Sequence, residues 1–188
     1  MNAMSFLIST VLDLYIMVVI LRIWLQAARA DFYNPFSQFV VKATQPVVKP
    51  LRRVIPSIGN IDVATVLFAY VLCILKSIFI FMLPTIIGTG GEAHFSTIYL
   101  LLGLLALIKT LGKMIFWVLI IRAIMSWVSQ GRSPIEYVFH QLTEPMLSPI
   151  RRIIPTMGGL DLSVLVVFIL LQFLNLLIGG WFNFWYLL

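Results

Sequence analysis

Apolar residues gather in four long blocks, separated by stretches in which apolar and polar positions recur with helical spacing. The blocks cover residues 4–25, 63–87, about 104–128 and 162–180, each near the roughly 20 residues that cross a bilayer core as an α-helix. Between the first and second blocks the pattern changes. There Phe36, Phe39, Val40 and Ala43 fall at i, i+3, i+4 and i+7, as do Ile135, Val138, Phe139 and Leu142 between the third and fourth, the signature of a helix with one apolar stripe. Each short helix opens on a capping side chain followed by proline, Asn34-Pro35 and Ser133-Pro134, where the missing amide donor costs nothing. The prolines that follow predict an early end. Pro46 and Pro145 place it near Thr44 and Thr143, and Pro50, Pro56, Pro149 and Pro155 prevent a long continuation. The fold class is all-α, a polytopic transmembrane bundle of four spans in which each half reads span, amphipathic connection, span.

The start of the third block is ambiguous. Apolar sequence begins at Phe95 and passes Lys109 and Lys113 without a proline, but residues 95–108 are too short for a crossing of their own. They read as an outer interfacial helix or as a long tilted start to the third span, with Gly103 and Gly112 as bend points. After the last block, Gly179-Gly180 reads as a hinge and Trp181, Trp185 and Tyr186 as an aromatic belt.

Sliding the chain against itself by 99 residues aligns its halves. Pro35, Thr44, Pro46, Pro50, Arg52, Arg53, Pro56, Gly59 and Asp62 meet Pro134, Thr143, Pro145, Pro149, Arg151, Arg152, Pro155, Gly158 and Asp161. One residue inserted upstream puts Arg22 on Arg122. The chain therefore divides into one repeat over residues 1–88 with connection 26–61, an outer segment 89–102, and a second repeat over 103–188 with connection 129–160. Two crossings per half make the repeats parallel, related by an axis along the membrane normal.

Composition narrows the class. The chain is 61% apolar and 11% charged with a mean hydropathy of +1.05, which excludes both an ordinary soluble domain and a disordered chain. A net charge of +6 raises nucleic acid as a partner, but most cations flank apolar spans instead of forming one soluble face, so no nucleic-acid partner is expected. Arg29, Lys42, Lys49, Arg52 and Arg53 lie in the first connection and Arg132, Arg151 and Arg152 in the second, whereas residues 1–4, 88–95 and 179–188 hold no Lys or Arg. The positive-inside rule then places both connections in the cytoplasm and both termini outside. Ala28-Arg29-Ala30 could pass for a leader cleavage site, but the basic n-region is missing and Arg22 interrupts the would-be leader.

Enzyme chemistry finds no foothold. One cysteine, Cys73, permits no internal disulfide or thiolate cluster; no Ser-His-Asp set, metal motif, phosphate loop or haem motif appears, and His94 and His140 sit at distant levels. The expectation is a non-catalytic protein with no metal and no cofactor.

Two constellations remain. In the connections, apolar Leu51, Val54 and Ile55 alternate with Arg52 and Arg53, and Ile150, Ile153 and Ile154 with Arg151 and Arg152. One reading is topological: arginines pin the loop, prolines cap, and Asp62 and Asp161 cap the following spans. The other makes Arg52, Arg53, Arg151, Arg152 and Lys49 a site for anionic head groups or an acidic partner, with Asp62 and Asp161 bracing the arginines. The second constellation is intramembrane: Asp13, Lys76, Lys109, Lys113, Gln172 and Asn175. The repeat register pairs Asp13 with Lys113 as a salt bridge between the halves, near mid-core, and puts Lys76 with Asn175 on a second polar level nearer the outer surface. These groups either hold the spans together, with Lys76 and Lys109 snorkelling outward, or line a path for an ion or solute.

The doubled Thr-x-Pro-x-x-x-Pro-x-Arg-Arg-x-Ile-Pro-x-x-Gly-x-x-Asp pattern, with its flanking spans and the upstream Arg22 and Arg122, resembles the YggT family, also called YlmG. The resemblance covers nearly the whole chain and matches the two-copy bacterial form. It implies a bacterial inner-membrane protein linked to osmotic and extracytoplasmic stress, sometimes in division-gene neighbourhoods. Plastid relatives are linked to b-type cytochrome assembly and nucleoid distribution. No catalytic residue comes with the family. The leading expectation is a membrane scaffold whose Pro/Arg-Arg modules engage anionic lipid or other membrane proteins, or a second copy of the chain. The alternatives are a small transporter or channel using Asp13 and Lys113, and a haem or cytochrome assembly factor.

Overall fold

The computed structural model describes residues 3–59, 61–89, 96–128, 133–154 and 161–188. Among the described residues six helices follow in order: α1 (Ala3–Ala27), α2 (Pro35–Val54), α3 (Val63–Thr89), α4 (Ile98–Val128), α5 (Pro134–Ile153) and α6 (Leu162–Trp181). Helices α1, α3, α4 and α6 are long and apolar enough to cross a membrane. Their surfaces explain why. Leu7, Leu14, Leu75, Trp117, Ile169 and Phe173 stay exposed, which is stable only with acyl chains as the solvent.

The third span absorbs the ambiguous segment. Helix α4 runs unbroken from Ile98, so it starts before the expected position 104 and leaves no separate interfacial helix there; positions 90–95 of the outer segment lie outside the described residues. Gly103 serves close packing. A Cβ there would run into Ile74 Cγ1, so this glycine lets α4 approach α3 closely.

Helices α2 and α5 also run further than expected, straight through Pro46 and Pro50 and through Pro145 and Pro149. A proline removes one amide donor and crowds the carbonyl four residues back. Spaced four apart, both prolines of each helix fall on one side, and all four are exposed, so water or head groups can satisfy the freed carbonyls. The opposite side is buried: Ser37, Val40, Thr44 and Val48 in α2, and Val138, Phe139, Leu142, Thr143 and Leu147 in α5. Phe39, expected in the stripe, is 61% exposed. The two helices lie side by side at one end of the bundle. Phe36 packs on Phe139 at 5.1 Å between ring centroids, and Gln141 Oε1 accepts from the Asp31 amide at 3.0 Å.

The core runs along α1, α3 and α4, through Ile16, Val19, Leu25, Ala69, Cys73, Leu102, Ala106 and Val118, and reaches Val40 and Leu142 beneath the amphipathic pair. Helix α6 packs on α4 and α5. It continues through Gly179-Gly180, so no hinge forms there, and the segment 182–188 folds back. Trp185 is consequently 3% exposed, inside the bundle and not in a belt, while Trp181 and Tyr186 remain outside.

Candidate functional site

Each amphipathic helix is fastened by two arginine clamps. The first lies within the bundle. Arg22 of α1 donates Nη1 to Thr44 Oγ1 at 2.6 Å and to the Val41 carbonyl at 3.4 Å, and Nη2 to Gln45 Oε1 at 3.3 Å. Thr44 in turn donates to the Val40 carbonyl at 2.8 Å, so the clamp grips the turn just before Pro46, where the helix is weakest. In the other half Arg122 donates to Thr143 Oγ1 and, at 3.4 Å, to Glu144 Oε2. The difference lies at one position: Gln45 is neutral and Glu144 charged.

The second clamp ties the helix end to the next span. Arg52 donates Nε at 2.9 Å and Nη2 at 2.5 Å to one oxygen of Asp62, and Arg151 does the same to Asp161 at 3.0 and 2.5 Å. The chain reaches Asp62 through a tight turn, with Ile58 and Ile61 exchanging backbone bonds at 3.1 Å and Gly59 at φ 60°, a left-handed conformation that glycine adopts without strain. Asp62 also accepts from Thr65 N and Oγ1, and Asp161 from Ser163 N and Oγ. Capping and pairing therefore coexist on one carboxylate. Burial pushes the Asp62 carboxyl up, but the hydrogen bonds from Arg52 and Thr65 outweigh it and hold the group below the ordinary carboxylate range; burial also raises Asp161, and the bonds from Arg151 and Ser163 again outweigh it and lower the group. Arg151 is raised, first by its bond to Asp161. It also chelates Glu144 at 2.9 and 3.0 Å.

These pairs are the bracing expected of Asp62 and Asp161: Arg52 and Arg151 bond to the two carboxylates, Arg52 while staying partly exposed, and Arg53 and Arg152 point out. On α2, Lys42, Lys49 and Arg53 line a groove of about 400 Å³ with Gln45, Pro46 and Pro50. Lys42 was missed by motif reading because it lies outside the Arg-Arg pattern; its spacing of seven from Lys49 was the available signal. The corresponding positions on α5 are Gln141, Ser148 and Arg152, so the basic groove belongs to α2. Pro56 and Gly59 occupy the described turn, whereas Pro155, Gly158 and His94 lie outside the described residues.

The intramembrane groups form one layer. Asp13 and Lys113 stand near the middle of α1 and α4, and Lys76 and Asn175 occupy equivalent positions along α3 and α6. Measured along the helices from Ala27, Val128, Val63 and Leu162, all of them lie about 20 Å from the amphipathic end. Asp13 Oδ1 meets Lys76 Nζ at 2.5 Å, and Asp13 Oδ2 meets Lys113 Nζ at 3.6 Å. Lys113 is thus the looser partner, and the expected second level merges with the first. Nor does Lys76 snorkel: it is 2% exposed and also donates to the Leu188 backbone oxygen at 2.8 Å. Lys109 turns inward too, donating to the Trp185 carbonyl at 2.5 Å with its ammonium 5.5 Å from that ring's centroid. Asn175 accepts from Trp185 Nε1 at 2.8 Å, and Gln172 is exposed. The folded-back segment 182–188 thereby supplies oxygens to lysines that Asp13 alone does not balance.

Four apolar helices bridged by two clamped amphipathic helices define a multi-pass helical membrane protein. The CCB3/YggT family model matches residues 1–83 and 95–182, and the chain belongs to that family. It is similar to a Vibrio alginolyticus protein described as lying in the proC 3' region, 74% identical over 95% of each chain. It is likewise similar to YggT of Escherichia coli K12, 56% identical over 94% of this chain and 89% of the relative, and to a Haemophilus influenzae protein, 44% identical over 89% and 87%. No solved structure matches the chain.

Proposed function

We propose that the protein is a non-catalytic scaffold of the bacterial inner membrane that presents a basic amphipathic platform on the cytoplasmic face during envelope and osmotic stress. One observation carries this reading: Arg52 and Arg151 are used internally to fix α2 and α5, while Lys42, Lys49 and Arg53 surround an open groove without a carboxylate partner among the described residues. Each such cation near an anionic leaflet contributes about 1 kcal/mol. The clamps hold the groove in place before anything binds, which lowers the ordering cost of binding.

The test is lipid retention. Protein extracted into nanodiscs containing phosphatidylglycerol should keep anionic lipid through delipidation, read by native mass spectrometry, and the variant K42Q/K49Q/R53Q should lose it. Equal retention of neutral and anionic lipid by both proteins would remove the proposal. The reading as an ion or solute path draws on the half-buried Asp13, but Lys76 is closed over by Asp13 and Leu188, which favours a structural role for that pair.

A further inference from the structure

The two halves treat one register position differently. Asp13 aligns with Lys113, and Lys76 with Asn175. In the first half the aligned groups close on each other as the 2.5 Å ion pair, with Lys76 buried. In the second half they are a cation and a carboxamide, which cannot form an ion pair, and a crevice of about 1000 Å³ stands between α4 and α6. Lys109, Lys113, Gln172 and Asn175 are among its polar lining residues, and Phe116, Trp117 and Phe168 belong to its apolar wall. Trp117 and Phe173 on its lining are exposed, so it opens sideways toward acyl chains.

Charge specifies the occupant. Asp13 is the one acidic residue in the four candidate spans, against Lys76, Lys109 and Lys113 at or near its level. Lys76 and Lys109 are engaged by backbone oxygens; Lys113 is 39% exposed with only the 3.6 Å contact to Asp13. Because Trp185 takes the Asn175 carbonyl, the Asn175 amide NH2 remains a donor. The half that lacks a carboxylate therefore holds a cation and a neutral donor at the edge of a cavity whose size is at the upper end of small-molecule sites. We propose that this crevice binds a single-chain amphiphile with one carboxylate, its head accepting from Lys113 and Asn175 and its acyl chain lying along the aromatic wall. A phospholipid is the wrong shape for this depth, since Lys113 stands at the midpoint of α4, Ile98–Val128, and a bulky diester head stays at the interface. A compact carboxylate beside an ammonium can sit there.

Tryptophan quenching tests the proposal without reference to the α2 groove, using dibromostearate and its methyl ester as probes on protein in nanodiscs at a pH where the acid is ionised. Trp117 and Trp185 line the crevice and report occupancy. The acid should quench at about tenfold lower concentration than the ester, Lys113→Gln should abolish the difference, and Lys113→Arg should keep it. Gly112 also lines the crevice, with nothing within 4 Å of a Cβ built on it, so Gly112→Leu should fill the space and remove saturable quenching by both probes. That variant touches no ion pair and decides the matter if Lys113→Gln fails to fold. Acid and ester quenching alike in the wild type, or an acid preference that persists in Gly112→Leu, would overturn the proposal.

Discussion

Arg52 holds Asp62 with two donors on a single carboxylate oxygen, and that carboxylate is 1% exposed while the guanidinium is 43% exposed. The asymmetry has an energetic consequence. Removing the arginine leaves a buried charge whose remaining partners are the Thr65 groups, whereas removing the carboxylate frees an arginine that can reach water.

Arg52→Ala should therefore destabilise by about 2 kcal/mol, in the range of a lost hydrogen bond to a charged group, and Asp62→Ala by a comparable amount, because the freed arginine reaches water but α3 loses its cap. Thermal unfolding in detergent measures both. A double-mutant cycle should return a coupling of about 1 kcal/mol or more.

Acid should release the clamps. Asp62 and Asp161 have carboxyls lowered in the folded protein, so their stabilisation is fully present above the unfolded carboxylate range and is lost as pH falls through their folded values. The variant D62N/D161N should be less stable at neutral pH and show a flatter stability profile on the acid side. An unchanged acid slope would contradict the pairing.

In the membrane layer the predicted ranking is steep. Asp13→Asn leaves Lys76 buried without its carboxylate and should cost about 3 kcal/mol, whereas the double replacement D13N/K76M should recover part of that loss because no charge is then stranded. Lys113→Gln, which loses only a contact at 3.6 Å, should cost less than Lys76→Met because it leaves Asp13 with its closer partner. Equal losses for Lys76→Met and Lys113→Gln would contradict the assignment of Lys76 as the principal partner.

Two glycines of α4 should behave oppositely. Gly103→Ala drives a methyl into Ile74, whose backbone lies 3.2 Å away, and should separate α3 from α4 at a cost of about 1–3 kcal/mol. Gly112→Ala meets nothing within 4 Å and should be neutral or stabilising by up to about 1 kcal/mol through helix propensity. Thermal unfolding of the two variants side by side measures the contrast.

Much of this was legible in the sequence, with informative exceptions. The four spans followed from hydropathy, and the starts of α2 and α5 from Asn34-Pro35 and Ser133-Pro134, because capping and proline geometry are local rules. Their ends are not legible in the proline positions alone, since proline's penalty depends on where its freed carbonyl points, and Pro46 and Pro50 share an exposed side. The repeat register points to the Asp13–Lys113 contact, which forms at 3.6 Å, but gives no sign of the closer partner Lys76, because it compares equivalent positions and ignores that antiparallel neighbours meet at equal distance from a shared face. Counting back from Ala27 and forward from Val63 puts Asp13 beside Lys76 directly. The burial of Trp185 had no local signal, because it follows from a fold-back that is tertiary.

A single platform built from α2 and α5 at one end of the bundle requires both helices to meet the same compartment. Val54 and Ile153 are 80% and 82% exposed at the equivalent ends of these helices, and Cys73 is buried. Single cysteines placed at Val54 and Ile153 in a Cys73→Ala background, treated with an impermeant maleimide on intact spheroplasts and on inverted vesicles, measure sidedness directly. Both positions should label in inverted vesicles and neither in spheroplasts; labelling of the two from opposite sides would contradict a shared platform.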